Sequence, residues 1–206
     1  MKKTNMKRFT LFALFLAIEV AVSVIPFLGF IPLGFINATT LHIPVIVAAV
    51  VLGKKEGAAI GFVFGLISLI KHTMEPSLSS FIFSPFVTVG ETSGNFASIL
   101  IAIVPRTLIG FVSGLIFENL KKRKINDVVS VSISAVAGSL TNTILVMGGI
   151  YIFFGGAYAA TVGIAYEALV GFIMGIVTTS GIIEAIVAAI IAVAIYKASK
   201  KTLSGI

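Results

Sequence analysis

Six stretches of this chain are apolar for long enough to cross or enter a bilayer, at residues 9–28, 40–53, 57–71, 96–120, 127–154 and 178–197. A full span needs about 20 apolar residues, and fewer suffice where a segment is broken or buried inside protein. Lipid offers the backbone no hydrogen-bond partners, so such segments must satisfy their own peptide groups, as helices do. The predicted fold is therefore all-α: a polytopic membrane protein in which residues 1–206 form one transmembrane domain. Composition agrees, with 58% apolar residues and only 11% charged ones.

The distribution of basic residues orients the predicted bundle. Of the fifteen lysines and arginines, all but Lys71 and Arg106 fall before the first apolar run, between the second and third, between the fourth and fifth, or after the sixth. The positive-inside rule makes that side cytoplasmic, which gives six spans with both termini inside. Residues 157–177 are also apolar, but a seventh span would place the C-terminal lysines outside. They are expected instead to form an outer, partly amphipathic cover. The outer loops, residues 26–40 and 71–96, hold most of the chemical variety, so a ligand is expected from that side.

Several chemistries are excluded. Cysteine is absent, which removes disulfides, thiol nucleophiles and cysteine metal sites, and there are only two histidines. No G-x-x-x-x-G-K-[ST] phosphate loop, H-E-x-x-H or G-x-S-x-G motif occurs, so neither ATP hydrolysis by that route nor a recognised hydrolase site is encoded. No cofactor or metal is expected, and no enzymatic activity.

Three ionisable residues lie at membrane depth: Glu19, Arg106 and Glu184. A charge at the bilayer centre costs about 2.5–3.5 kcal/mol on insertion scales, so each should face a partner or a wet cavity. Two readings follow for Arg106. It forms a structural ion pair with Glu184 or Glu19, or its planar fork grips an anionic or oxygen-rich solute in an outward-opening pocket. Asn142, between Thr141 and Thr143, brings two donors and two acceptor sites into the bilayer, and Tyr151 adds an amphipathic ring near the outer end. On the first run, Ala13, Ala17 and Ala21 recur every four residues and form a small-residue ridge. Glu19 is two residues from Ala17, about 160° around a helix, so an inward Glu19 implies an outward ridge.

Taken together, the A-x-x-x-A-x-x-x-A ridge, the unit "TTLHIPVIVAAVVLGKKEGAAIGFVFGLISL" and the stretches "FIFSPF", "IVPRTLIG", "GSLTNT" and "IEAIVAAII" resemble the substrate-binding (S) components of energy-coupling factor (ECF) vitamin transporters, most closely the pantothenate-specific branch. The resemblance implies a six-helix bundle like that of riboflavin transporters, in a bacterial plasma membrane. It implies a vitamin bound near the outer face under a lid formed by the loop after the first helix, and docking through Ala13, Ala17 and Ala21 onto a transmembrane coupling subunit that carries two cytoplasmic ATPases, as in an ABC importer. Carried over by position, the expected binding residues are Arg106, Asn142, Glu184, His72, Asn95 and Tyr151. Arg106 suits the pantothenate carboxylate, and Asn142 and Glu184 suit its amide and hydroxyls. Two glutamates against one arginine leave open a neutral or cationic vitamin: riboflavin, a hydroxymethylpyrimidine or pyridoxine-type precursor, or folate. A self-contained secondary carrier or an intramembrane enzyme are the alternatives of different class.

Overall fold

The computed structural model describes residues 3–25, 30–32 and 37–203. Helices α1 (Lys3–Val24), α2 (His42–Leu52), α3 (Lys54–Met74), α4 (Phe96–Lys122) and α5 (Asp127–Val162) are followed by a short α6 (Leu169–Ile176) and by α7 (Ile182–Leu203). A π-helical turn, Val177–Gly181, joins α6 to α7. Among the described residues, four helices are long and apolar enough to cross a membrane: Lys54–Met74, Phe96–Lys122, Asp127–Val162 and the continuous Tyr166–Ser199. Two tiny hairpins complete the described structure, Phe30–Pro32 with Asn37–Thr39 and Thr88–Val89 with Thr92–Ser93. Most of the expected lid, residues 26–29 and 33–36, lies outside the described residues.

Residues 157–177 are neither a seventh span nor a cover. Helix α5 continues through Val162 and ends at Gly163, whose φ of 75° lets its amide close onto the Ala159 and Ala160 carbonyls. The chain then turns back through a short 3-10 turn into α6 and α7. The N-cap of α2 is Leu41, with no side-chain cap bond.

Helix α2 has only eleven residues, "HIPVIVAAVVL", and nine of them are buried. A helix apolar on every side belongs in the interior, and α2 packs against α1, α3, α4, α5 and α7. At about 16 Å long it fills only part of the bundle's height. Around it lies one apolar cluster, which includes Ile46, Ile60, Phe64, Ile109, Ala135 and Ala188. A second cluster, with Phe81, Ile82, Ile101, Met147, Ile150, Phe154 and Tyr158, sits toward the other end, between α4, α5, α6 and the segment that joins α3 to α4.

The closest helix crossing is that of α3 with α4, and glycines make it. Gly57, Gly61 and Gly65 repeat every four residues along α3 and meet Gly110, the Arg106 carbonyl and the Ala102 carbonyl in turn. A Cβ on Gly61 would stand 2.2 Å from the Arg106 oxygen, and one on Gly110 would stand 2.1 Å from the Gly57 carbonyl. Small residues at this spacing let backbones touch where lipid supplies no hydrophobic drive between helices. The glycine repeat of α3 is thus the inward counterpart of the alanine repeat on α1.

Gly61→Leu should destabilise the protein by about 1–3 kcal/mol, the usual range for overpacking. Gly148→Ala, where an added methyl meets nothing within 4 Å, should be neutral or stabilising. Thermal unfolding of both variants in detergent checks the contrast.

Candidate functional site

Pro105 lacks an amide hydrogen, so the Ile101 carbonyl one turn earlier in α4 loses its helical donor. The next residue repairs the defect, because Arg106 Nη1 donates to the Ile101 oxygen at 2.6 Å. This bond folds the guanidinium back along α4, toward the helix start. There its Cζ stands 5.6 Å from the centre of the Phe64 ring and 4.9 Å from that of Phe83. Phe64 belongs to the cluster around α2, and Phe83 packs on the second cluster. The guanidinium therefore lies at the seam between the two apolar cores, clasped by two aromatic faces that attract a cation.

Arg106 is only 4% exposed, so it does not face an outward-opening pocket in this conformation. The reason is the segment between α3 and α4, which folds down over it. Ser98 Oγ donates to the Phe81 carbonyl at 2.7 Å, the Thr73 and Ser84 hydroxyls bond at 2.7 Å, and Ser80 Oγ accepts from the Ser77 amide at 2.8 Å. Phe81 and Ile82 are completely buried, and Phe83 is thereby set against the arginine.

Of the expected binding residues, two lie near this point. His72 Nδ1 donates to the Ser68 carbonyl at 2.7 Å, and its ring lies 4.7 Å from that of Phe83. Both His72 and Glu184 are close enough to act electrostatically on Arg106. Asn142, on α5, keeps a buried Oδ1 with no hydrogen-bond partner. The adjoining Thr143 Oγ1 donates to the Ser139 carbonyl in its own helix, and its methyl lies under Gly181 in the π turn.

Two others are placed elsewhere. Asn95 is exposed and serves as the N-cap of α4: its Oδ1 accepts from the Ala97 amide at 2.8 Å, and Ser98 Oγ accepts from its amide at 3.0 Å. Tyr151 stacks on Tyr166 with ring centres 6.3 Å apart and is 39% exposed. The expected pair of Arg106 with Glu19 does not form. Glu19 is completely buried, and neither of its oxygens has a hydrogen-bond partner.

Several buried polar atoms lack hydrogen-bond partners, among them Arg106 Nε, Asn142 Oδ1, Ser68 Oγ and both Glu19 oxygens. Each such group costs about 1–3 kcal/mol, more when charged, unless something satisfies it. Together they offer one strong donor and several acceptors, suited to a solute with an anionic end and hydrogen-donating groups elsewhere. Among the described residues no group of three histidine, aspartate or glutamate side chains is placed to hold a metal. On α1, Ala13, Ala17 and Ala21 are all exposed, on the face opposite Glu19.

Comparison with known proteins agrees with this architecture. The family described as "ECF transporter, substrate-specific component" matches residues 7–196. The pantothenic acid transporter PanT of Lactococcus lactis subsp. cremoris is 34% identical over 98% of this chain and 97% of its own. The pantothenate transporter PanT of Leuconostoc mesenteroides subsp. mesenteroides is 30% identical over 95% and 93%. The crystal structure of an S-component for biotin from an ECF-type ABC transporter superposes with a TM-score of 0.60 at 17% identity, covering 96% of this chain and 94% of that one, a likeness of fold. The chain belongs to the family of substrate-specific components of ECF transporters.

Proposed function

We propose that this multi-pass plasma-membrane S component binds pantothenate and delivers it inward when docked on its coupling and ATPase module. The observation that carries the reading is the buried Arg106 guanidinium, which has one donor committed to its own helix and Nε unpartnered. Pantothenate carries a carboxylate for that fork, an amide N–H for the unpartnered Asn142 oxygen, and two hydroxyls. Curated relatives that span almost the whole chain are named for the same vitamin. Glu184 acts on the arginine's charge from the first turn of α7. Because Phe83 covers the guanidinium, substrate access requires that ring to move aside.

Six spans with cytoplasmic termini fit the charges. Arg8 bonds to Glu56 and to the Leu52 carbonyl, Lys54 to Glu118 and Lys121 to Asp127, which gathers basic residues of three helices at one end of the bundle. The exposed Ala13, Ala17 and Ala21 ridge supplies a flat face for a helix of the coupling subunit.

Arg106→Ala should weaken pantothenate binding to the purified protein by about 10- to 150-fold, the worth of a charge-assisted hydrogen bond. Isothermal titration against a vitamin panel measures it, and unchanged affinity would make the arginine purely structural. Ala17→Trp should leave that affinity intact and abolish ATP-dependent uptake in vesicles reconstituted with the coupling module. Uptake driven by an ion gradient without that module would identify a secondary carrier instead.

A further inference from the structure

Glu19 stands outside every role assigned so far, although it is completely buried and neither carboxylate oxygen is satisfied. Contacts at the basic end of the bundle fix its depth. Arg8 of α1 bonds to Glu56 of α3, 48 residues further on, and to the Leu52 carbonyl at the end of α2. Helices α1 and α3 run in the same direction and α2 in the opposite one, all with the same rise per residue. Counted from that bridge, to within about one turn, Glu19 lies in the layer of α3 between Phe64 and Ser68, near the start of α2. Ser68 is also completely buried, with an unpartnered Oγ.

The same layer contains the arginine's head. Gly65 of α3 lies against the Ala102 carbonyl and Ile103 of α4, and the Arg106 guanidinium reaches back to the Ile101 oxygen. Ser68 is one turn beyond Phe64, whose ring faces the guanidinium. Phe15 and Val22, on the same side of α1 as Glu19, pack against the cluster that contains Phe64. An acid, a hydroxyl and a guanidinium thus share one depth, beyond the end of the short central helix.

We infer that Glu19 and Ser68 form the hydroxyl-recognising end of the substrate site, with Arg106 at its anionic end. The inference rests on the pantothenate reading and assigns to Glu19 the part expected of Glu184. The Glu19 carboxyl offers two oxygens to the substrate's hydroxyl groups, and the Ser68 hydroxyl offers a third.

The test compares pantothenate with N-(3,3-dimethylbutanoyl)-β-alanine, the same skeleton without hydroxyls, by titration calorimetry on the full-length protein. Glu19→Ala should lower affinity for pantothenate by about 10- to 100-fold and leave the weaker affinity for the deoxy analogue within about twofold. Ser68→Ala should show a smaller loss in the same sense. Arg106→Ala should weaken both ligands. Glu19→Gln preserves shape and one acceptor oxygen, so it provides the reading if the alanine variant does not fold; its loss of about threefold or more should again be confined to pantothenate. Equal losses on both ligands, or undiminished discrimination in Glu19→Gln, would overturn the assignment while leaving Arg106 and the vitamin in place. A wild-type protein indifferent to pantothenate would overturn the underlying reading, and this one with it.

Discussion

Pro105 deprives the Ile101 carbonyl of its donor, and Arg106 supplies another from its side chain, so the arginine is held by the helix that carries it. A guanidinium anchored in this way needs no carboxylate in direct contact to justify its burial. Two aromatic faces and one backbone oxygen offset part of its desolvation, and Nε is left over. The close glycine crossing serves the same end. With α3 drawn against the Arg106 backbone, Phe64 reaches the cation and α4 cannot slide without a clash. The polar residue that looks most anomalous in the sequence is thus built into the most tightly packed pair of helices.

The short central helix decides where polar groups can gather. Gly57 meets Ala49 across the α2–α3 contact, so α2, running the opposite way, begins about level with Phe64. Beyond that level the interior has no central apolar rod. His72, Ser68 and Arg106 are buried, and the folded segment brings Phe83 against the His72 ring and the guanidinium. A bundle with a full-length central helix would have filled the same volume with hydrocarbon.

The sequence made the helical class and the weight of Arg106 legible, because hydropathy and charge are properties of single positions or short windows. Residues 40–53 were counted among six spans, whereas the structure makes of them a short central helix with nine of its eleven residues buried. What stayed hidden depended on contacts between helices. Asn95 was expected as a binding residue by position in the family, and its place one residue before α4, with Ser98 three residues on, is also a capping-box pattern. Residues 157–177 misled because an α5 of 36 residues, roughly 54 Å, outruns the bilayer, and apolar composition alone does not show where such a helix turns. The Gly57, Gly61 and Gly65 repeat carried the same small-residue signal as the alanine ridge of α1. Periodicity could not say which of the two faces inward.

That difference gives α1 its character. Phe12, Phe15, Glu19 and Val22 turn toward the core, while Ala13, Ala17 and Ala21 look out. One rigid helix then carries the inferred hydroxyl contact on one side and the proposed docking ridge on the other, about 160° apart. Any rotation of α1 that seats the ridge on a partner moves Glu19 relative to Ser68, and any substrate that satisfies Glu19 restrains that rotation. The glycine-locked α3–α4 pair holds Arg106 fixed meanwhile. Were docking to turn α1, the distance from Glu19 to the Arg106 end would change, and a ligand bridging both would register the turn as a gain or loss of affinity.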